Sequence, residues 1–279
     1  MLPVCCDLIF SAHPGRIWHS SGMASYKALA DFLVETARRA GEHILSMREA
    51  REAEIKADGS PVTRADKEAE ALVVAALREK VAEIGIVSEE NGASHKTAPS
   101  NRFFLVDALD GTKSFMREKG KSFTVNIGLI EDGAPVLGVV YAPARERMFC
   151  GGAGLGAWEI ARDGTRREIF ANGAGEDGLV AAVSRLHGDE RLARWVETHG
   201  ITRQILMSSS LKFCLVACGE ADVYPRFGPT MEWDTAAGDA VLRAAGGCVE
   251  DLEGTTLRYG KEGYRNGGFV AWLSKRRNA

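Results

Sequence analysis

The chain lacks net charge, a cysteine framework and any long apolar run. Its 35 Lys and Arg against 38 Asp and Glu leave a formal charge of −3. Bulk attraction to nucleic acid is therefore excluded, and any phosphate must be met by local charge. Cys5, Cys6, Cys150, Cys214, Cys218 and Cys248 are too scattered for a disulfide scaffold. Cys214 and Cys218 stand four apart in an apolar run with no second pair or histidine cluster beside them, so they read as buried thiols of a reducing compartment rather than zinc ligands. No stretch reaches the roughly 18 consecutive apolar residues of a membrane span. The opening segment MLPVCCDLIF has no basic residues ahead of its apolar start, unlike a secretory signal. Residues 1–23 are expected to be a poorly ordered extension, or to lie upstream of a start at Met23. No internal repeat is present.

What the chain does have is an ordinary globular balance, 45% hydrophobic and 26% charged residues over 279 positions. At about 150 residues per domain that is just under two domains, or one large α/β unit. Glycine is in excess, 31 residues or about 11% against an average near 7%. Turns and close backbone approaches are expected accordingly.

Apolar residues at three- and four-residue steps predict a helix over about 24–54 and a second from Ala65 to about Glu83, with the turn DGSPVT (58–63) between them. A short apolar segment (84–88) runs into Glu89 and Glu90. Strands are then expected at 103–106, 122–130 and 135–143, with EDG (131–133) as a hairpin turn, and two more within 147–160. The polar, Gly-rich stretch 162–178 reads as a seam. Beyond it come strands at 179–184 and 203–208, helices near 189–199 and 209–219, the segment 221–227, a helix from Asp234 to about Ala245 and a last strand at 267–273. This order predicts an antiparallel sheet in an N-terminal part (24–165) and a mixed sheet in a C-terminal part (166–279).

The densest chemistry lies in VDALDGTKSF (106–115). Asp107 and Asp110 follow a strand and can both face one crevice, where open sheets bind ligands. Carboxylates so close need a cation, yet D-x-x-D-G is not a calcium loop. Gly111, Thr112 and Lys113 can offer N–H groups to an anion, or the segment is a solvated turn. One of Glu89 and Glu90 faces the same edge, or both lie on a loop. Asp234 and Asp66 each begin a helix, where a cap or a favourable dipole contact is the simpler account. Together these oxygen donors suit a hard cation such as Mg²⁺ and suggest a two- or three-metal phosphoester hydrolase.

VDALDGTKSF, SEE (88–90), DGSPVTRAD (58–66) and WDTAAGDAVLRAAGG (233–247) resemble the signature segments of the inositol monophosphatase superfamily of Mg²⁺-dependent, lithium-sensitive phosphatases, from about residue 25 to 273. The lysine of DGTKSF, the run 122–144 and SSSLKFCLVACGEADVYPR (208–226) look most like its 3′(2′),5′-bisphosphate nucleotidase branch, which takes adenosine 3′,5′-bisphosphate from sulfate assimilation to AMP.

The resemblance implies a layered α/β/α/β/α fold and two or three Mg²⁺ ions. Glu89, Asp107, Asp110, Asp234 and the carbonyl of Leu109 are the implied ligands. Glu89 and Thr112 would orient the attacking water, with Asp66 close by or at a third, weaker metal. Gly111, Thr112 and Lys113, together with Asp234, would meet the substrate at its scissile phosphate. His187, Ser209, Lys212 and Arg226 would hold the nucleotide and its 5′-phosphate. Their bland readings are a satisfied histidine, a helix cap and solvated cations. Ala108 departs from the pattern, standing where the family usually has proline, so the turn is expected to be looser. The implied partner is a small nucleotide bisphosphate, with no nucleic acid and no membrane insertion. The implied place is the cytoplasm, with or without contact to the cytoplasmic face of the inner membrane, as a monomer or homodimer. A sugar-phosphate monophosphatase, and a regulatory binding module without activity, are the competing readings.

Overall fold

The computed structural model describes residues 20–48, 53–56, 59, 61–96, 99–117, 120–172, 178–184 and 190–273. Helices α1 (Ser20–Ser46) and α2 (Arg64–Lys80) pack together through buried stripes, Leu33, Ala37, Ala40 and Ile44 against Ala69, Val73 and Leu77. Helix α1 begins four residues ahead of the expected boundary and stops eight short of Glu54. Beyond Met47 the segment REAREAE has no apolar stripe to bury. Its last residues instead open strand β1 (Ala53–Ile55), which pairs with β2 (Pro61–Thr63).

Seven strands form the first sheet in chain order: β3 (Gly85–Ser88), β4 (Arg102–Asp110), β5 (Thr124–Glu131), β6 (Ala134–Ala142), β7 (Arg147–Gly152), β8 (Gly156–Ile160) and β9 (Arg166–Glu168). Only β3 and β4 run parallel; every other neighbouring pair is antiparallel. A single helical turn, α3 (Thr112–Phe115), follows β4. Because β9 completes this sheet, a division at 165/166 would cut its last hairpin, and the first sheet ends at Glu168.

The second sheet has the order β11 (Ile201–Leu206), β10 (Leu179–Val183), β12 (Val223–Arg226), β16 (Phe269–Trp272), β14 (Cys248–Asp251). Strand β10 is parallel to both neighbours, and β16 antiparallel to both of its own. A separate ribbon joins β13 (Thr230–Met231) to β15 (Arg265–Asn266). Helices α5 (Leu211–Ala217) and α6 (Ala236–Ala244) lie between the sheets. Helices α1 and α2 cover the outer face of the first sheet, and α4 (Glu190–Thr198) that of the second, where Leu192 and Trp195 pack on Ala181, Val183 and Val223. The layering is α/β/α/β/α, as expected.

A row of glycines sets the spacing of the central layers. Gly128, Gly138 and Gly151 are register partners across β5, β6 and β7. A β-carbon at Gly138 would lie 2.3 Å from the Ala237 carbonyl oxygen, and one at Gly128 2.9 Å from the Ala236 β-carbon. Without side chains there, α6 settles directly on the sheet. The small residues Ala236, Ala237 and Gly238 permit this close approach, with two partners. The alanines meet the glycine row, and Gly238 meets the Phe213 ring of α5, 2.6 Å from where its β-carbon would be.

Candidate active site

The turn leading into α6 is fastened on every side. Glu232, fully buried, accepts from the backbone N–H groups of Gly260 (2.7 Å) and Lys261 (3.0 Å). Trp233 stacks on His95, and Asn266 Nδ2 donates to Met231 O (3.1 Å) and Thr235 Oγ1 (3.0 Å). Asp234 lies in a 3-10 turn ahead of α6 rather than at the helix start expected from the sequence. Seating α6 on the glycine row carries this acid to the ends of β3 and β4. There Glu89, Asp107 and Asp234 each offer an oxygen, all within 4.8 Å of one another.

The ligand-bearing turn of β4 holds itself. Pairing with β5 shifts register between Asp107 and Asp110, and Asp107 Oδ1 accepts from the N–H of Leu109 (2.9 Å). Gly111 then takes a left-handed φ of 99° and starts α3. A side chain there would press on the Ser122 carbonyl, 3.0 Å from the β-carbon.

Each of the four acids has one oxygen tied down. Asp107 uses Oδ1. Asp110 Oδ2 accepts from the N–H of Ser210 (2.6 Å) and faces Asn126 Nδ2 (3.5 Å). Asp234 Oδ2 accepts from Met231 N (2.8 Å), and Glu89 Oε1 from Lys56 Nζ (2.8 Å). Among the described residues no hydrogen bond is made by the other oxygen of any of them. Asp66 differs: both its oxygens are engaged, by Thr63 N (2.7 Å), Thr63 Oγ1 (2.5 Å) and Thr112 Oγ1 (2.8 Å). It closes a capping box on α2 and also orients Thr112.

Electrostatics separates this cluster from a decorative turn. Burial, then the charges of Glu89, Asp110 and Asp234, push the Asp107 carboxyl well above the usual range. Burial and Asp110 do the same to Asp234. Burial raises Glu89 and Asp110 too, although Lys56 and Lys212 oppose it. Four oxygen donors with too little compensating charge fit a hard divalent cation.

On the basic side of the site Lys212 is buried and Arg226 half-buried. Lys212 is 3% exposed, donates to Ser209 O at 2.6 Å, and is brought down to about 8, mainly by burial, with Asp110 opposing. Arg226 Nε and Nη2 rest on the carbonyls of Gly228 and Pro229, each at 3.3 Å. Ser209, beside Lys212, has a left-handed φ of 63°. Lys113 is exposed on α3, and His187 lies outside the described residues.

Several participants were not singled out from the sequence. Lys56, at the end of β1, bridges Glu89 and Glu90 (2.8 and 2.7 Å). Glu70 of α2 accepts from Ser88 Oγ (2.9 Å) and Glu90 N (2.7 Å), holding the chain on both sides of Glu89. Asn126 and Ser210 brace Asp110. Glu70 had a visible signal, since it sits on the helix stripe beside Ala69 and Val73, where a charge must have a partner.

Residues 25–276 match the profile of the inositol monophosphatase family. The 3′(2′),5′-bisphosphate nucleotidase CysQ of Salmonella typhimurium is 43% identical over 240 residues, covering 84% of this chain and 96% of that protein. Its namesake in Escherichia coli K12 is 41% identical over 246 residues, 86% of this chain and 98% of its own. Among solved structures, CysQ from Bacteroides thetaiotaomicron, a bacterial member of the inositol monophosphatase family, superposes with a TM-score of 0.77 at 34% identity, covering 91% of this chain and all of its own. The inositol monophosphatase of Anabaena gives 0.70 at 28%, covering 90% of this chain and 92% of its own. Fold, carboxylate cluster and relatives agree: the chain belongs to the inositol monophosphatase family of phosphatases.

Proposed function

We propose that this chain removes the 3′-phosphate of adenosine 3′,5′-bisphosphate, giving AMP and phosphate, with two or three Mg²⁺ ions held by Glu89, Asp107, Asp110, Asp234 and the Leu109 carbonyl. On this reading it works in the cytoplasm, on a by-product of sulfate assimilation, as a monomer or homodimer. Bound Mg²⁺ supplies the positive charge that eases deprotonation of a water and offsets charge on the phosphate.

The chain's own contribution is orientation and polarity. Thr112 donates its hydroxyl hydrogen bond to Asp66, which leaves the threonine oxygen oriented to accept a hydrogen bond from an attacking water. Glu89, with one oxygen held by Lys56, is the other acid suited to fix that water. Gly111, Thr112 and Lys113 stand where N–H groups of the first turn lack helical partners and suit the scissile phosphate.

The observation that carries the substrate assignment is the pair Lys212 and Arg226, whose positive charges act on Asp110 and Asp234. Two cations beside the acid cluster suit a second phosphate. An inositol monophosphate would leave them facing hydroxyls. The similarity to 3′(2′),5′-bisphosphate nucleotidases supports the same choice. The test is relative turnover: kcat/KM for adenosine 3′,5′-bisphosphate is expected to exceed that for inositol 1-phosphate by about 100-fold or more, the scale of one lost charged contact. A preference for the inositol ester would overturn the assignment.

A further inference from the structure

One peptide group, between Ser209 and Ser210, touches both sides of the site. Its carbonyl accepts from Lys212 Nζ at 2.6 Å, and its N–H donates to Asp110 Oδ2, also at 2.6 Å. Its orientation is imposed from outside. Ser209 is held at a φ of 63°, a conformation that a serine adopts at a cost. Ser210, 2% exposed, gives its hydroxyl proton to Asn126 Oδ1 at 2.6 Å and lies 2.9 Å from Thr124 Oγ1. Two residues of β5 thus pin a peptide that joins a buried ammonium to a buried carboxylate.

We infer that this peptide couples the two subsites, so that an anion at Lys212 and a divalent cation at Asp110 strengthen one another's binding. The identity of the anion, a nucleotide 5′-phosphate, rests on the function proposed above; the coupling rests on the geometry. Hydrogen bonds in series polarise each other where the dielectric is low. Here Lys212 draws on the carbonyl and the N–H draws on Asp110, so the state of either end is felt at the other. An anion on Lys212 and Arg226 cancels positive charge that otherwise opposes a cation at Asp110. The pinned peptide cannot turn away to relieve that change. Coupling of this kind is reciprocal.

The experiment measures Mn²⁺ affinity by electron paramagnetic resonance with and without saturating AMP, which has no 3′-phosphate to lose. AMP is expected to tighten Mn²⁺ by about fivefold or more, and Mn²⁺ to tighten AMP equally. Ser210→Ala removes the hydroxyl that pins the peptide and should at least halve the coupling. Should that variant fail to fold by circular dichroism, Thr124→Val, which removes the hydroxyl facing Ser210, replaces it and should weaken the coupling likewise. A factor of one in the unsubstituted chain, or undiminished coupling in the folded variant, overturns the inference. Failure to bind AMP at all contradicts the nucleotide reading, and with it any role for the clamp.

Discussion

Burial places Asp107 among Glu89, Asp110 and Asp234, and all three add to its proton affinity. The folded chain therefore holds that proton more tightly than the unfolded one. Its metal-free fold loses stability as pH rises from the ordinary carboxylate value to the raised one, and regains it as pH falls. Asp107→Asn should then melt higher than the unsubstituted protein at about pH 8 without metal, by about 2–4 °C per kcal/mol relieved, with the gap closing towards about pH 4. The same variant should bind Mn²⁺ at least about 100-fold more weakly. Thermal melts and metal titration check both, and a variant less stable at high pH would count against a cluster built for a cation. Lys212→Met tests the other side. It should lower kcat/KM for a bisphosphate by about 10- to 100-fold, the worth of a charged hydrogen bond, and affect a monophosphate far less. Equal losses on both substrates would place Lys212 at the scissile phosphate instead.

Between elements, the glycine row of β5, β6 and β7 decides where α6 rests, and α6 decides where Asp234 sits. Gly138→Ala puts a β-carbon against the Ala237 carbonyl, 2.3 Å away, so helix or sheet must move. A cost of about 1–3 kcal/mol is expected from such overpacking, together with weaker Mn²⁺ binding although no ligand has changed. Stability lost with metal affinity intact would show that Asp234 is positioned by its own turn, through Glu232 and Asn266, rather than by the helix. The small residues of α6 were readable as a surface for close approach, whereas their partners were not. Nothing in a strand such as TVNIGLIE says that its one glycine aligns with two others, because register is a property of pairs of strands. Asn126 and Ser210 were hidden in the same way. Ser210 lies 84 residues from Asn126 and 100 from Asp110, and each alone is an unremarked polar residue.

At the scale of the molecule the two sheets share their middle layer. One buried cluster runs from Val87, Phe103 and Leu105 through Phe213 and Val241 to Phe269, and so joins both parts of the chain. A single cooperative transition in calorimetry is expected, and two resolved transitions would mean that the parts fold independently. Two successive sheets were legible because runs of strands and then alternating helices and strands admit few packings, whereas the five-layer order came with the family resemblance, and the acids were legible as short motifs at element ends. The helix limit at Ser46 and the strand at Arg166–Glu168 were not, since polar edges carry little periodic signal. The central claim is metal-dependent removal of one phosphate from a substrate that carries two. Chromatography of the products of adenosine 3′,5′-bisphosphate, with Mg²⁺ and with a chelator, tests it most directly. AMP and phosphate should appear with Mg²⁺ and neither with the chelator; adenosine 3′-monophosphate as the product, or turnover that survives chelation, would contradict the account.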